Sequence, residues 1–593
     1  MVDCTIALRS AVHSYPPGKR HGRFRTTRQS NRNRGNGNCS AKLYGLNPNI
    51  MTTFESRINP HSDVFVANRT HMLRMLADVR ELEQRTRDRS ARSRPLFDKR
   101  AQLLPRDRIA LLLDPGSAWL ELSQLAGFTL DNPDPTKAIA GAGVITGLGV
   151  VAGTRCVVVA SDAGIEAGSI RAMGREKMLR AQEIALENKL PFVFLVESAG
   201  ANLLQYKVDG FVLGGAIFRN LARLSAAGLP VVTIVHGSST AGGAYMPGLS
   251  DYVIMVRGRA RAFLAGPPLL KAATGEIATE EELGGAEMHT SVSGLGEYMA
   301  EDDADGVRLA REVVQRLQWS RHLAPAAPAQ DHGGLPPRLD PEELLGIMSA
   351  DGRKPADMRE VITRLVDDSD FMEFKSLYGS ATVTGHATIQ GYPVGIITNN
   401  GPLDPDGANK ATHFIQACCQ SGTALIYLQN TTGYMVGTAY ERAGMIKHGS
   451  KMIQAVTNAT VPQFTVMCGS SFGAGNYGMC GRAYEPRFLF SWPNARTAVM
   501  GGEQAATTMR IVAEAGARRK GIAIDEAAMA AQEKKIVDNF ENQQSAIATS
   551  SLMLDDGVID PRDTRAVLGL CLTLCDEAAR RVLRPMQFGV ARP

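Results

Sequence analysis

The chain has 593 residues, 44% hydrophobic and 21% charged, an ordinary globular composition with length for two to four domains that each carry a core. Nine Lys and Arg within residues 1–50 (Arg9, Lys19, Arg20, Arg23, Arg25, Arg28, Arg32, Arg34 and Lys42) stand against the single acid Asp3, so the formal +5 leaves 56 basic and 59 acidic residues elsewhere, a net of −3, and the body is no nucleic-acid binder by charge. No run approaches the roughly 18 apolar residues of a membrane span, and the nine cysteines form neither a CxxC motif nor a disulfide framework, which argues against structural zinc and for a soluble protein of a reducing compartment.

The first 50 residues are polar and Arg-rich, with PPGK and GNGNCS breaking any helix, and read as part of a disordered tail over residues 1–64. A mitochondrial transit peptide shares this composition but requires an amphipathic helix, and the segment has little periodicity; an upstream extension of the reading frame ahead of Met51 is the other reading. From about His71, Met72, Met75, Leu76, Val79 and Leu82 recur at core spacing, which predicts a helix whose arginines form its solvated face. GLGVVAG, Gly147 to Gly153, precedes a strand and reads as a hairpin-like turn. TRCVVVAS (154–161) and FVFLVES (192–198) are short and β-branched, with helical spacing in REKMLRAQEIALENK (175–189) between them, so the segment is a strand, helix, strand unit.

A third strand, LPVVTIVHG, runs into SSTAGGAYMPG (238–248), a turn of small residues with no nucleophile, base or metal ligand. The five prolines of LAPAAPAQDHGGLPPRLDP (Pro325, Pro328, Pro336, Pro337, Pro341) forbid regular structure and mark a linker over 324–341. Beyond it the order recurs: GYPVGIITNNG, KATHFIQACCQSG, ALIYLQNTTG, then VPQFTVMCG running into SSFGAGNYGMCG (470–481). Gly153 answers to Gly391, Lys177 to Lys410, Gly200 to Gly433 and Gly237 to Gly469, at offsets of 238, 233, 233 and 232. Near-constant offsets argue for two copies of one domain. In each copy a glycine-dense turn at a helix start leaves backbone N–H groups uncovered, a setting for a negatively charged oxygen. The chemistry suggested is an oxyanion hole in each half.

Other readings of these turns fit less well. Gly473, Gly475 and Gly478 spell GxGxxG after a strand, but no acid lies about 20 positions on to hold a ribose, and the first copy lacks the spacing. A nucleophile elbow would need GxSxG with a matched acid and histidine, and a P-loop would need GK[ST]. His236, His289 and His413 are too scattered for a ligand set, so no metal is expected.

FLAGPPLLKAATGEIATEEELGGAEMHTSVSG (263–294), AEDDADGVRLA (300–310) and GAGNYGMCGRAYEPRFLFSWPNARTAVMGGEQAA (473–506) closely resemble the carboxyltransferase β subunits of biotin-dependent acyl-CoA carboxylases, in the branch acting on 3-methylcrotonyl-CoA and geranyl-CoA. The resemblance covers residues 65 to 590. It implies an α/β fold of two tandem crotonase-like (ClpP/crotonase) domains of ββα superhelix type, placed at 65–323 and 342–593. It implies further that biotin, carried on a partner subunit, releases CO₂ in the site and takes a proton from the acyl-CoA substrate, so that no protein side chain need act as base. The matching positions are Ala241, Gly242 and Gly243 for the thioester oxygen, and Gly473, Ala474 and Gly475 for the biotin ureido oxygen.

The chain has no Met-Lys-Met biotinylation motif and no ATP-grasp module, so the resemblance implies an α partner carrying the biotin carboxylase and biotin carrier domains. It also implies a β6 core with each active site across a dimer interface, in the bacterial cytoplasm or the mitochondrial matrix. In DGFVLGGAIFRN, Gly214 stands where methylcrotonyl-type members resemble one another in a bulky aromatic and geranyl-type members have glycine. An open pocket end at Gly214 and Gly215 points to geranyl-CoA; the bland alternative is that both glycines merely permit a turn. ESAGAN, with Glu197 and Ala199, departs from a common Asp-Ser-Gly-Gly pattern, and Ser239 stands where cysteine is usual. The other functions kept open are 3-methylcrotonyl-CoA carboxylation, a biotin-independent crotonase-like hydratase or decarboxylase, and a scaffold that only presents acyl-CoA.

Overall fold

The structure, a computed structural model, describes residues 54–199, 208–324, 334–349 and 354–590. Residues 1–53 of the tail expected over 1–64, residues 325–333 of the linker and Gly200 lie outside them; the tail's last part is ordered, with Ser56 Oγ and the Arg57 amide donating to the Glu360 carboxylate at 2.7 Å and a helix beginning at Asp63. Two mixed sheets organise the chain, and each begins with an antiparallel hairpin and continues with parallel strands. The first contains β1 (Leu120–Leu122), β2 (Val144–Val151), β3 (Thr154–Ser161), β4 (Phe192–Ser198), β5 (Val231–Thr240), β6 (Tyr252–Val256), β7 (Arg261–Phe263) and β8 (Tyr298–Ala300), in the order β1-β2-β3-β4-β5-β6-β8 with β7 beside β5. The second contains β9 (Met372–Glu373), β10 (Thr382–Ile389), β11 (Tyr392–Asn399), β12 (Ala424–Thr431), β13 (Gln463–Phe472), β14 (Phe488–Ser491) and β15 (Arg496–Ala498), in the order β14-β13-β12-β11-β10-β9 with β15 beside β13.

The central strands are apolar on both faces because helices cover both sides. Every residue of β4 is buried, and so is nearly every residue of β13. The helices Ala172–Glu187 and Pro405–Ser421 make the first crossover of each half. One predicted feature moves: GLGVVAG is mostly strand, and the turn shrinks to Ala152 and Gly153 at φ 47° and 76°. Gly147 stays in the strand because the indole of Trp119 lies over it, 2.5 Å from where a Cβ would sit. The second half repeats the tight hairpin at Gln390 and Gly391, φ 50° and 80°, with both loop residues left-handed, as a type I′ turn requires. Lys177 and Lys410 are both buried at equivalent helix positions. The ammonium of Lys177 donates to the Val144 carbonyl at 2.7 Å, and burial lowers its pKa to about 8.

The halves share one core, in which Val157, Met178 and Phe192 of the first meet Val394, Phe464 and Leu572 of the second. A buried charge cluster crosses the same boundary. Asp556 accepts from Arg180 Nε at 2.8 Å and Nη2 at 3.0 Å, from Arg482 Nη1 at 3.1 Å and from the Leu489 amide at 2.9 Å. Burial alone would raise the pKa of this carboxyl; the two guanidinium groups overcome that and hold it at about 2.

Removing one partner of a buried pair strands the other's charge, at a cost of about 3–5 kcal/mol. Asp556→Ala is therefore expected to lower unfolding stability by that order in denaturant titrations. Because the folded-state pKa is depressed, the wild-type carboxylate contributes its stability fully above the unfolded value and loses it as pH falls from about 4 toward 2. The variant should show a correspondingly shallower acid dependence; parallel acid profiles would contradict this assignment.

Candidate functional site

Each half builds its turn by the same break in register. β4 and β5 pair normally as far as Val196↔Val235, and pairing resumes at Ser198↔Ser239; β12 and β13 pair as far as Gln429↔Met467 and resume at Thr431↔Ser471. Between these pairs one residue on one strand thus faces three on the other, a bulge that re-aims the outgoing strand. The bulged strands carry glycine where the facing side chain leaves no room. A Cβ at Gly237 would lie 2.6 Å from Glu197 Oε1, and one at Gly469 would lie 2.5 Å from Asn430 Oδ1.

Past the bulge, Ala241 and Gly473 occupy the same left-handed conformation, each at φ 54°. The chain then coils into Ala241–Ala244 and Tyr245–Gly248 in the first half, and into Gly475–Gly478 in the second. The Gly473 amide is spent on the Ala498 carbonyl at 3.0 Å. Positions 242, 243, 474 and 475 are helix-start amides, which have no carbonyl four residues back in helical register. Gly242 and Ala474 are exposed, and Gly243 and Gly475 are buried. Gly475 admits no side chain, since a Cβ would lie 2.9 Å from both Gly433 Cα and Thr431 Cγ2. Tyr245 and Tyr477, again 232 apart, flank the two turns with 47% exposure each. Ala241, Gly242 and Gly243 therefore form one corner, and Gly473, Ala474 and Gly475 form its structural twin.

Gly214 and Gly215 lie inside the helix Val208–Ala226 and form no turn. A Cβ at either position would meet nothing within 4 Å. Phe218, one helical turn on from Gly214, lies over the first corner, its Cζ 3.6 Å from where a Gly242 Cβ would sit and its ring 5.6 Å from that of Tyr245.

Sequence reasoning missed what lies behind the first corner. His236 is fully buried, with Nδ1 2.8 Å from Asp303 Oδ1. Asp303 Oδ2 accepts from Arg108 Nε at 2.9 Å, and Arg108 Nη1 donates to Glu197 Oε2 at 2.7 Å. Gln102 Nε2 donates to the His236 carbonyl at 2.7 Å and to Glu197 Oε1 at 3.3 Å. Burial, reinforced by the Arg108 charge, lowers the His236 pKa, so its neutral ring donates from Nδ1 to Asp303. His236 is thus a buried core histidine tied into a charge network. The signal available was an acid, Glu197, beside a strand end otherwise free of charge.

Residues 98–588 match the family described as carboxyl transferase domain. The "Probable biotin-dependent acyl-coenzyme A carboxylase beta2 subunit" of Mycobacterium tuberculosis is 51% identical over 475 residues, 80% of this chain and 88% of the relative. The "Probable methylcrotonoyl-CoA carboxylase beta chain, mitochondrial" of Drosophila melanogaster is 43% identical over 553 residues, 91% of this chain and 94% of the relative. The crystal structure of the P. aeruginosa geranyl-CoA carboxylase beta subunit superimposes with a TM-score of 0.85 at 51% identity, covering 91% of this chain and 99% of that one.

The matched φ values at Ala241 and Gly473 make opposite stability predictions. A left-handed conformation costs a non-glycine residue about 1–2 kcal/mol, part of which glycine's greater unfolded-state entropy offsets. Ala241→Gly is expected to raise stability by up to about 1 kcal/mol and Gly473→Ala to lower it by about the same amount, read from denaturant midpoints. Equal shifts of the same sign would mean that the two corners are not conformational twins.

Proposed function

The chain belongs to the carboxyl transferase domain family and is the carboxyltransferase β subunit of a biotin-dependent acyl-CoA carboxylase, and from that premise we propose that it adds CO₂ to the γ carbon of geranyl-CoA, a branched enoyl-CoA. Taking a proton from that carbon sends charge through the conjugated system to the thioester oxygen. The amides of Gly242 and Gly243 receive that oxygen, and donors fixed in advance at such a position are typically worth about 3–4 kcal/mol each. Carboxybiotin, carried on the partner α subunit, would supply both the CO₂ and, at the nitrogen freed of it, the acceptor for the substrate proton. Ala474 and Gly475 would hold its ureido oxygen, the Gly473 amide being already spent on Ala498. The observation that carries this reading is the pair of matched corners, whose turns 238–248 and 470–481 contain no Asp, Glu, His, Lys or Arg and begin helices with main-chain N–H groups.

Two crotonase-like units, divided at residues 324–341, each supply one corner. Phe211, Val212 and Leu213 near the first corner, and Val436 and Ile446 near the second, are 55–78% exposed, more apolar surface than a lone subunit needs to show. That exposure supports assembly with further copies of the chain into a β6 core, with the active site spanning a dimer interface. An α subunit bearing the biotin carboxylase and biotin carrier domains completes the enzyme. Among the described residues no helix is long and apolar enough to cross a membrane. One relative is bacterial and another is named as mitochondrial, which supports the bacterial cytoplasm or, alternatively, the mitochondrial matrix for this chain.

Substrate choice rests on Gly214. It lies one turn from the Phe218 that covers the first corner and opens onto empty space, which leaves room for a longer prenyl chain. The Drosophila likeness favours 3-methylcrotonyl-CoA as the second reading. Co-expressed with a biotinylated α partner, the chain is expected to carboxylate geranyl-CoA, dependent on ATP and bicarbonate, with higher kcat/KM than 3-methylcrotonyl-CoA. Gly214→Phe meets no neighbour at Cβ, so it should fold, lower kcat/KM for geranyl-CoA about 10–100-fold by overfilling the pocket, and spare the shorter substrate. A wild-type preference for 3-methylcrotonyl-CoA would hand the assignment to the second reading.

A further inference from the structure

We propose that Glu197 is a positioning residue for the first corner, a role that rests on that corner holding the thioester oxygen. Glu197 stands at the register break between Val196 and Ser198, and its side chain is buried, which keeps it off the substrate. Its carboxylate abuts Gly237, while Gln102 ties the same carboxylate to the carbonyl of His236. Arg108 carries the tie through Asp303 to the His236 ring. Two successive residues of β5, His236 and Gly237, are therefore gripped from behind by side chains from three separate segments.

The grip reaches the amides. Four residues after Gly237 the strand turns left-handed at Ala241, and Ser239 Oγ donates to the Gly243 carbonyl at 2.9 Å. The neighbouring Ser198 Oγ donates to the Gly168 carbonyl at 2.7 Å, while its Cβ lies 4.0 Å from where a Gly243 Cβ would be. A displaced Glu197 moves the bulge, and the bulge carries Gly242 and Gly243 with it. Arg108 neutralises the carboxylate so that the brace does not set a bare negative charge behind a site for an oxyanion. The second half places neutral Asn430 against Gly469 at the equivalent point. The charged brace thus belongs to the thioester corner alone among the described residues.

The test uses the holoenzyme assembled with its biotin-carrying partner and separates two rates: acyl-CoA carboxylation, and the slow CO₂ release and ATP hydrolysis without acyl-CoA, which need only the second corner. Glu197→Gln is expected to lower kcat for carboxylation about 10–100-fold, the range seen when an oxyanion donor is misplaced. The KM for acyl-CoA should stay within about threefold and the acyl-CoA-independent rate unchanged, because the lost interaction matters only in the transition state. Glu197→Asp, which keeps the charge, should recover part of the loss. If Glu197→Gln fails to assemble, Gln102→Leu cuts only the link to the His236 carbonyl and should give a smaller drop in kcat at constant KM.

A kcat within twofold of wild type, or a parallel fall in both rates that tracks the melting temperature, overturns the proposal. Gly242→Pro, which removes one amide, distinguishes the two levels of the argument. If it lowers kcat while Glu197→Gln does not, only the role of Glu197 fails; if it too leaves kcat unaltered, the thioester corner itself fails.

Discussion

A backbone N–H at the start of a helix has no acceptor within that helix, and this chain presents such groups twice by departing from regular strand pairing. One residue of one strand faces three of the next, between Val196↔Val235 and Ser198↔Ser239, and again between Gln429↔Met467 and Thr431↔Ser471. The surplus length re-aims the strand end, which pairs with a new neighbour, and a left-handed residue then starts a helix whose first amides include the exposed Gly242 and Ala474. Without the slip, Gly242 and Ala474 would continue a strand and give their hydrogens to a neighbour. The parallel sheets, crossover helices and shared core hold that irregularity in place.

The same constraint accounts for where the glycines fall. Gly237 and Gly469 accommodate a polar side chain beneath the bulge, and Gly475 lets the turn lie on Gly433. Ala241, at the same φ as Gly473, carries a methyl group in a conformation that glycine adopts without penalty. The two corners share geometry but not residue identity.

Much of this was legible before any coordinates. The alternation of β-branched runs with helical spacing located β3, β4, β11 and β12, and the constant offsets paired the halves, because both patterns are local along the chain. The left-handed turns were visible as glycine-dense stretches after strands. What escaped notice depends on residues far apart in sequence. Nothing near Arg108 signals that its guanidinium spans Glu197 and Asp303, 89 and 195 positions away. Nor does a glycine-rich turn report a two-residue slip in pairing. GLGVVAG reads as a turn because it precedes a strand; in the fold Gly147 lies within the strand, and its lack of a side chain makes room for Trp119.

The boundary between the halves is buried and charged, with Asp556 of one reaching Arg180 of the other across a continuous apolar interior. Units joined this way are held as one body, so every chain carries one corner of each kind in fixed orientation.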